Sequence, residues 1–266
     1  MNIVGHFHTS RFSTTRRLGR IPQDVCPLGA RRIALTDVAR VNAAYVWGDG
    51  EPGVLALHGW GSDSSAMHGL AAQARADGAA TVCFDAPGHG VSPGSQATLM
   101  EYSTAAAAVL RRNPGVHTVV THSLGAIAAV AAVAAVDPPA VRTILMLAPA
   151  CTLGGVLERW ATERGLSRRP IAAMYRELHR RNGVPVSHWD IRTLGLPDSV
   201  EVRMLHDPAD DWTPIAESRA IAAAAPRASL REVAGVGHHG ILGCPPAREA
   251  LSRCVRAPAD QEATGA

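Results

Sequence analysis

The feature that most restricts the fold is a regular alternation of short apolar segments with segments of helical pattern. Six of the eight segments predicted to be strands take part in this alternation, at residues 53–57, 79–84, 116–120, 142–147, 200–205 and 229–233, and the other two, at 31–37 and 41–47, are expected near a sheet edge. Helical patterns lie between them, at 64–76, 98–112 and 124–136 and again before Ala224. Strands that alternate with helices usually form a mostly parallel sheet that is covered on both faces. The sequence therefore predicts a protein of the α/β class.

Loops rich in glycine, histidine and acidic residues follow most of these strands. They cover residues 58–62, 85–92, 121–125, 206–214 and 235–240. In open α/β sheets, ligands bind at the carboxyl ends of the strands. The sequence therefore predicts one functional site along that edge of the sheet.

Ser123 stands between the strand at 116–120 and an alanine-rich helix that begins at Leu124. A serine on a sharp turn from strand to helix is the arrangement of a nucleophile elbow, whose pattern is G-x-S-x-G. Gly125 fits this pattern, but Thr121 occupies the position of the first glycine and predicts a slightly more open turn. Taken alone, Ser123 is equally compatible with a helix N-cap.

Five motifs, taken in order, resemble those of the α/β-hydrolase superfamily over residues 31–254. They are the His58-Gly-Trp-Gly loop, Asp85-Ala-Pro-Gly-His-Gly-Val-Ser92, the Ser123 turn, Asp210-Asp-Trp-Thr-Pro214 and Gly235-Val-Gly-His238. Ser123, Asp210 and His238 follow the family's order of nucleophile, acid and base. The resemblance implies an α/β-hydrolase fold with a mostly parallel central sheet flanked by helices and a small helical cap.

The resemblance also implies a catalytic role for each of these residues. Ser123 would attack a carbonyl carbon, His238 would accept and return the proton, and Asp210 would orient the imidazole. The backbone N–H groups of Leu124 and Trp60 would form the oxyanion hole. No cofactor or metal is needed for this chemistry.

The implied activity is hydrolysis of a carboxylic ester of a small or medium-sized molecule through an acyl-enzyme. A thioesterase or acyltransferase would use the same triad, and a ligand-binding protein without turnover is a further alternative. Asp207 and Asp211 compete with Asp210 for the role of acid, and His239 competes with His238 for the role of base. Spacing from Pro214 favours Asp210, and the Gly-x-Gly-His pattern favours His238.

The sequence also predicts how the chain is divided. Residues 1–30 are expected to be an irregular N-terminal arm, 31–255 a single domain, and 256–266 a disordered tail. Two amphipathic helical patterns predict a cap insertion at about 150–197. Two sets of cap residues leave alternatives open. The arginines either lie in solvent or bind an anionic substrate, and Trp160, Met174, Tyr175 and Trp189 either line an apolar pocket or pack the cap onto the sheet.

Composition limits the classes of partner and compartment. A net charge of +3 is too small to indicate nucleic-acid binding. No segment approaches the roughly 18 apolar residues of a membrane span. The five cysteines show no Cys-x-x-Cys spacing, which indicates reduced thiols and a cytoplasmic protein. We therefore expect a small-molecule substrate without nucleic acid or membrane, and the oligomeric state stays open.

Overall fold

Eight strands form one sheet in the computed structural model, which describes residues 3–15, 26–27, 29–35 and 37–263. The strands are β1 (Ala30–Ala34), β2 (Ala43–Trp47), β3 (Pro52–Leu57), β4 (Ala80–Phe84), β5 (Thr118–His122), β6 (Thr143–Leu147), β7 (Glu201–His206) and β8 (Ala228–Glu232). Their spatial order is β1-β2-β4-β3-β5-β6-β7-β8. β2 pairs antiparallel with β1 and β4, and all other pairs are parallel. The predicted α/β-hydrolase fold is confirmed.

Helices connect the strands and cover both faces of the sheet. They are α1 (Ile3–Phe12), α2 (His68–Ala76), α3 (Leu99–Arg112), α4 (Gly125–Val136), α5 (Leu153–Thr162), α6 (Arg168–Asn182), α7 (Ile215–Ala224), α8 (Gly237–Gly240) and α9 (Pro245–Ala263). Local sequence explains where α3 begins: Thr98 accepts from the Glu101 amide while the Glu101 carboxylate accepts from the Thr98 amide. This capping box satisfies two helix N-terminal donors.

The side chains of each central strand alternate between two hydrophobic layers. In β3, Leu55 and Leu57 belong to the layer that holds α3 and α4, whereas Val54 and Ala56 belong to the layer that holds α2 and α9. All four are fully buried. Because a strand exposes alternate residues to opposite faces, a strand that is apolar throughout requires cover on both sides. Full burial of such an aliphatic side chain contributes about 1.5–3 kcal/mol.

Cap helices α5 and α6 lie in the chain between β6 and β7, followed by a short 3-10 turn at Val186–His188. Met174 and Trp189 are buried in the hydrophobic core, so they pack the cap rather than line an open pocket. Thr152 caps α5 by accepting a hydrogen bond from the Gly155 amide at 2.9 Å.

The N-terminal arm differs from its prediction. Residues 3–12 are not irregular but form α1, which packs along α6. A Cβ on Gly5 would lie 2.6 Å from the Ala173 carbonyl oxygen, so the two helix backbones approach closely. The apolar residues of α1 show no helical periodicity, and its stability comes from packing on α6 rather than from a recognisable amphipathic pattern. The part of the predicted arm at 16–25 lies outside the described residues.

The C-terminal tail also differs from its prediction. The predicted disorder begins at residue 256, but α9 continues through Ala263. Alanine, glutamine and glutamate in this stretch favour a helix even though they give no apolar pattern. Residues 264–266 lie outside the described part of the chain. Within that part, no helix is both long enough and apolar enough to cross a membrane.

Candidate active site

Ser123 lies on a sharp turn between β5, which ends at His122, and α4, which begins at Gly125. Its φ angle is +53°, a left-handed conformation that is uncommon for a residue with a side chain. β5 is displaced by two residues from its prediction, because β5 pairs with β6 through His122 while Val116 belongs to the preceding turn. A Cβ on Gly125 would lie 2.6 Å from the His58 carbonyl oxygen, so only glycine fits there. The chain thus strains its backbone at Ser123, as functional sites often do.

The structure brings Ser123, His238 and Asp210 into one chain of hydrogen bonds. Ser123 Oγ lies 3.1 Å from His238 Nε2, and His238 Nδ1 lies 2.7 Å from Asp210 Oδ2. Since the carboxylate only accepts, Nδ1 carries the imidazole proton and Nε2 is free to accept from the Ser123 hydroxyl. These residues come from three different loops, yet all lie at the carboxyl ends of strands.

Asp210 is held as a carboxylate by four hydrogen bonds. Its Oδ1 accepts from the amides of Trp212 and Thr213, both at 2.8 Å, and its Oδ2 accepts from His238 and, at 3.3 Å, from His206. Burial alone would raise its pKa, but the hydrogen bonds from His206 and His238 and from the Thr213 amide outweigh burial, so the pKa lies below its usual range. Asp211, the alternative acid, is exposed.

His206 contacts the same carboxylate oxygen of Asp210 that His238 contacts. Its side chain is fully buried, and its Nε2 faces the Thr213 carbonyl at 2.8 Å as well as Asp210. Because both are acceptors, Nε2 carries the proton and Nδ1 accepts from the Ser218 hydroxyl at 2.7 Å. Both ring nitrogens of His206 are therefore occupied by contacts within the protein.

Asp207 positions the loop that carries His238. Its Oδ2 accepts from the amides of Val236 and Gly237 at 2.7 and 2.6 Å. The hydrogen bonds from Gly237 and from Ala209 lower its pKa, so it stays ionised. Asp207 therefore contacts the backbone of the loop that carries His238 rather than its imidazole, and it lies outside the hydrogen-bonded chain of Ser123, His238 and Asp210.

His122 supports the same loop from the sheet side. Its Nε2 donates to the His238 carbonyl oxygen at 2.9 Å, and the two imidazole rings lie 4.7 Å apart. Burial and the proximity of His238 lower its pKa to about 3. The lowered pKa keeps the His122 ring neutral beside the His238 imidazole. The alternative base, His239, is exposed and lines the cavity described below.

The Trp60 loop packs against the Ser123 turn. A Cβ on Gly59 would lie 3.2 Å from the Ser123 Cβ, so the backbone before Trp60 borders the nucleophile turn directly. His58 stabilises this loop because its Nε2 accepts from the Ala86 amide at 3.1 Å. Asp85 bonds its own turn by accepting from the Val91 amide at 2.9 Å.

A cavity of about 370 Å³ opens beside Ser123 and His238. Its other walls come from the Trp60 loop, the cap helix α5 and the N-terminal segment, here defined as residues 3–15. Large apolar side chains form part of the cavity lining: Phe12, Trp60, Leu99, Leu124, Leu153, Val156, Trp160, Leu178 and Trp212. Apolar walls with a few convergent polar groups are typical of small-molecule sites. Trp160 thus lines the pocket, whereas Tyr175 lies in a separate surface depression with Ile171.

The cap arginines are mostly neutralised by carboxylates. Five of the eight arginines at residues 159–192 form ion pairs, namely Arg159 with Glu217, Arg164 with Glu163, Arg180 and Arg181 with Glu177, and Arg192 with Asp190. Of the eight, Arg159 and Arg164 line the cavity. This arrangement favours solvated and paired arginines over a site for an anionic substrate.

Sequence reasoning missed the contribution of the N-terminal segment to this site. Arg11, Phe12, Ser13 and Thr14 line the cavity, although the segment was expected to be an irregular arm and was given no role in the site. The aromatic residues Phe7 and Phe12 in a chain with few aromatics were the one available signal.

Comparison with known proteins identifies the relatives of this arrangement. A sequence model described as the alpha/beta hydrolase family matches residues 54–250. This range contains Ser123, Asp210 and His238 but not the N-terminal segment. A search of curated proteins found no match.

Several solved structures share the fold. The alpha/beta hydrolase domain-containing protein 10 from mouse superimposes with a TM-score of 0.63 at 18% identity, over 87% of this chain and 98% of that one. A monoacylglycerol lipase from Paleococcus ferrophilus gives 0.59 at 20% identity, over 80% and 98%. A thioesterase domain from the curacin biosynthetic pathway gives 0.53 at 20% identity, over 86% and 98%. At these identities, the similarity shows a shared fold and leaves the substrate to be argued from the site.

Proposed function

Because this chain belongs to the alpha/beta hydrolase family, we propose that it is a serine hydrolase that cleaves a carboxylic ester of a small or medium-sized molecule. The observation that carries the proposal is the hydrogen-bonded chain from Ser123 through His238 to Asp210, with Ser123 Oγ 3.1 Å from His238 Nε2 at the wall of an apolar cavity. A serine hydroxyl becomes a useful nucleophile only when an adjacent base accepts its proton.

In the first half of the proposed reaction, Ser123 Oγ attacks the carbonyl carbon of the ester as His238 Nε2 takes its proton. Asp210 stabilises the imidazolium that forms. The carbonyl oxygen becomes an oxyanion, which the backbone N–H groups of Leu124 and Trp60 stabilise in our proposal. His238 then gives its proton to the leaving alcohol, the C–O bond breaks, and the acyl group remains on Ser123.

In the second half, water replaces the alcohol. His238 accepts a proton from the water, the hydroxide attacks the acyl carbon, and the proton passes to Ser123 Oγ as the acid leaves. Thioester hydrolysis or acyl transfer requires only a different leaving group or acceptor and stays an alternative on the same residues. A binding protein without turnover would not need Ser123 to be aligned with a base.

The proposal is tested by labelling with a fluorophosphonate and by turnover of a panel of esters, thioesters and amides. We expect one label per chain, on the peptide that contains Ser123, and faster turnover of esters than of thioesters or amides. Ser123→Ala should abolish labelling and lower kcat by on the order of 10⁴- to 10⁶-fold. Ser62→Ala is the matched control, since Ser62 lines the same cavity and should keep both properties. Label on another serine, or full turnover by Ser123→Ala, would contradict the assignment.

A further inference from the structure

We propose that the N-terminal segment is a wall of the substrate site and that Phe12, together with Trp160, limits the length of the apolar group that the site accepts. The inference rests on the proposed function, because it assigns the substrate selectivity of that same site. The substrate class it points to is an ester whose apolar portion is of limited length.

The N-terminal segment is fixed to the sheet domain on one side of the cavity. The Ala97 amide donates to the Ser13 carbonyl at 3.1 Å, and the Thr15 amide donates to the Ser95 carbonyl at 3.0 Å. The Thr15 hydroxyl also bonds to the Gly88 carbonyl. Ser13 and Thr15 are both buried, so this stretch is an integral part of the domain surface.

The same segment is fixed to the cap on the other side. Arg181 of α6 donates to the Ser10 hydroxyl at 2.8 Å, and His6 lies 3.3 Å from Glu177 of α6. The Gly5 backbone packs directly against Ala173 of the same helix. The segment therefore bridges the sheet domain and the cap. Residues 11–14, near its end, line the cavity.

Phe12 and Trp160 meet across this bridge. Their ring centroids are 5.5 Å apart at an interplanar angle of 82°, an edge-to-face contact. The Arg164 guanidinium lies 4.3 Å from the centroid of the Trp160 ring and restrains that indole further. Both aromatic rings line the cavity. Their contact with each other is separate from the ring contacts of His238, which are with His122, His239 and Trp212. The pair is thus a restrained apolar boundary that comes from elements outside the sheet.

A boundary of this kind selects substrates by size. An added methylene that fits an apolar pocket raises kcat/KM by about tenfold or more, and one that does not fit loses that gain. Leu153, Val156 and Leu178 form the apolar wall beside the pair, so the group that reaches Phe12 is expected to be aliphatic or aromatic.

The experiment measures kcat/KM for two series of esters, p-nitrophenyl esters of graded acyl length and acetate esters of graded alcohol length. We expect the unmodified protein to show a maximum in at least one series. For each variant, kcat/KM for an ester about two carbons longer is divided by kcat/KM for the best substrate of the unmodified protein. In Phe12→Ala and Trp160→Ala, this ratio should rise by about tenfold or more. Phe12→Leu, which keeps more of the packing, should give a smaller shift in the same direction. Phe7→Ala is the matched control, because Phe7 lies on the same helix and is half exposed away from the cavity.

Fluorophosphonate labelling of each variant separates the two levels of the proposal. If the unmodified protein neither labels nor hydrolyses any ester, the proposed function fails and this inference fails with it. If Phe12→Ala, Phe12→Leu and Trp160→Ala all label fully and their length profiles overlay that of the unmodified protein, the inference alone is overturned. A shift in the Phe7→Ala profile equal to that of Phe12→Ala would also overturn it, since the effect would then belong to the helix as a whole.

Discussion

Asp210 and Asp211 are adjacent in sequence but differ completely in surroundings. Asp210 accepts hydrogen bonds from His238, His206 and two backbone amides, whereas Asp211 is exposed. Asp210→Asn should lower kcat by about 10⁴-fold, because the amide no longer holds the imidazole tautomer that leaves Nε2 free. Asp211→Asn should cost less than about tenfold. Steady-state kinetics of both variants measure these losses in kcat. If Asp211→Asn lost more activity than Asp210→Asn, Asp211 rather than Asp210 would be the acid.

Thr121 occupies the first glycine position of the elbow pattern, and its hydroxyl is buried without a hydrogen-bond partner among the described residues. Thr121→Val removes that unsatisfied group at nearly constant shape, so the free energy of unfolding should rise by about 1 kcal/mol. Thr118→Val is the matched control in the same strand, because the Thr118 hydroxyl contacts His117 Nδ1 at 3.0 Å. Denaturant titration should show Thr118→Val destabilised. Equal destabilisation of both variants would contradict this account of Thr121.

The positions of Ser123, Asp210 and His238 could be predicted because strand-end loops of a parallel sheet converge on one edge, so order along the chain carries spatial information. The roles of His122, His206 and Asp207 could not be predicted. His122 and Asp207 each form hydrogen bonds to the loop that carries His238, and His206 contacts Asp210 within its own loop. Such contacts depend on side-chain orientation rather than on spacing. His122, for example, contacts the carbonyl of His238, which lies 116 positions away in sequence.

At the scale of elements, Glu177 joins α6 to α1. It is buried, accepts from Arg180 Nη2 at 2.7 Å and from Arg181 Nε at 2.9 Å, and contacts His6. The hydrogen bond from Arg180, followed by that from Arg181, lowers its pKa below the usual value. A depressed carboxyl pKa stabilises the folded protein above the unfolded-state pKa of about 4.3, and this contribution is lost as the pH falls through the folded-state pKa.

Glu177→Gln should therefore lower the free energy of unfolding by roughly 1–3 kcal/mol near pH 7, because the buried Glu177 carboxylate is the charged acceptor for the partly buried Arg181 and the exposed Arg180. The difference from the unmodified protein should shrink as the pH falls below about 4, because the carboxyl group of the unfolded chain becomes protonated there while the folded protein, with its lower pKa, still holds the charged form. Urea titrations across pH measure both quantities. Glu163→Gln serves as the control, since Glu163 is exposed and, within the described part of the chain, its ion pair is with the neighbouring Arg164. A difference that grows toward acid would contradict the assignment.

Helix prediction succeeded for α3, α5 and α6, whose apolar residues recur on one face, and failed for α1. Ile3, Val4 and Phe7 are exposed, while the buried positions of α1 are Gly5 and Thr9. A helix that buries small and polar residues against another helix leaves no amphipathic signal in the sequence. The sequence pattern therefore did not predict α1, the helix that completes the cavity.

At the scale of the whole molecule, the sheet and its covering helices could be predicted from the alternation of elements, whereas the attachment of the cap could not. Glu217 of α7 makes that attachment: its Oε2 accepts from the Cys151 amide at 2.7 Å, and its Oε1 pairs with Arg159 of α5. Few sequence patterns reveal a carboxylate that joins one element to two distant ones. The central strands, by contrast, are buried on both faces.

This difference predicts the order in which the molecule opens. Regions with few buried contacts exchange amide hydrogens by local opening, while buried central strands exchange only when the whole domain unfolds. We expect α5 and the Cys151 amide to exchange faster than β5 and β6 in native-state hydrogen exchange. Glu217→Gln should accelerate exchange in α5 by on the order of tenfold, because a charge-assisted hydrogen bond is weakened, and should leave β5 unchanged. Glu232→Gln is the control, since Glu232 forms a largely exposed pair with Arg219. If Glu217→Gln accelerates β5 as much as α5, the cap and sheet open as one cooperative unit and Glu217 is a general stabiliser rather than the link between them.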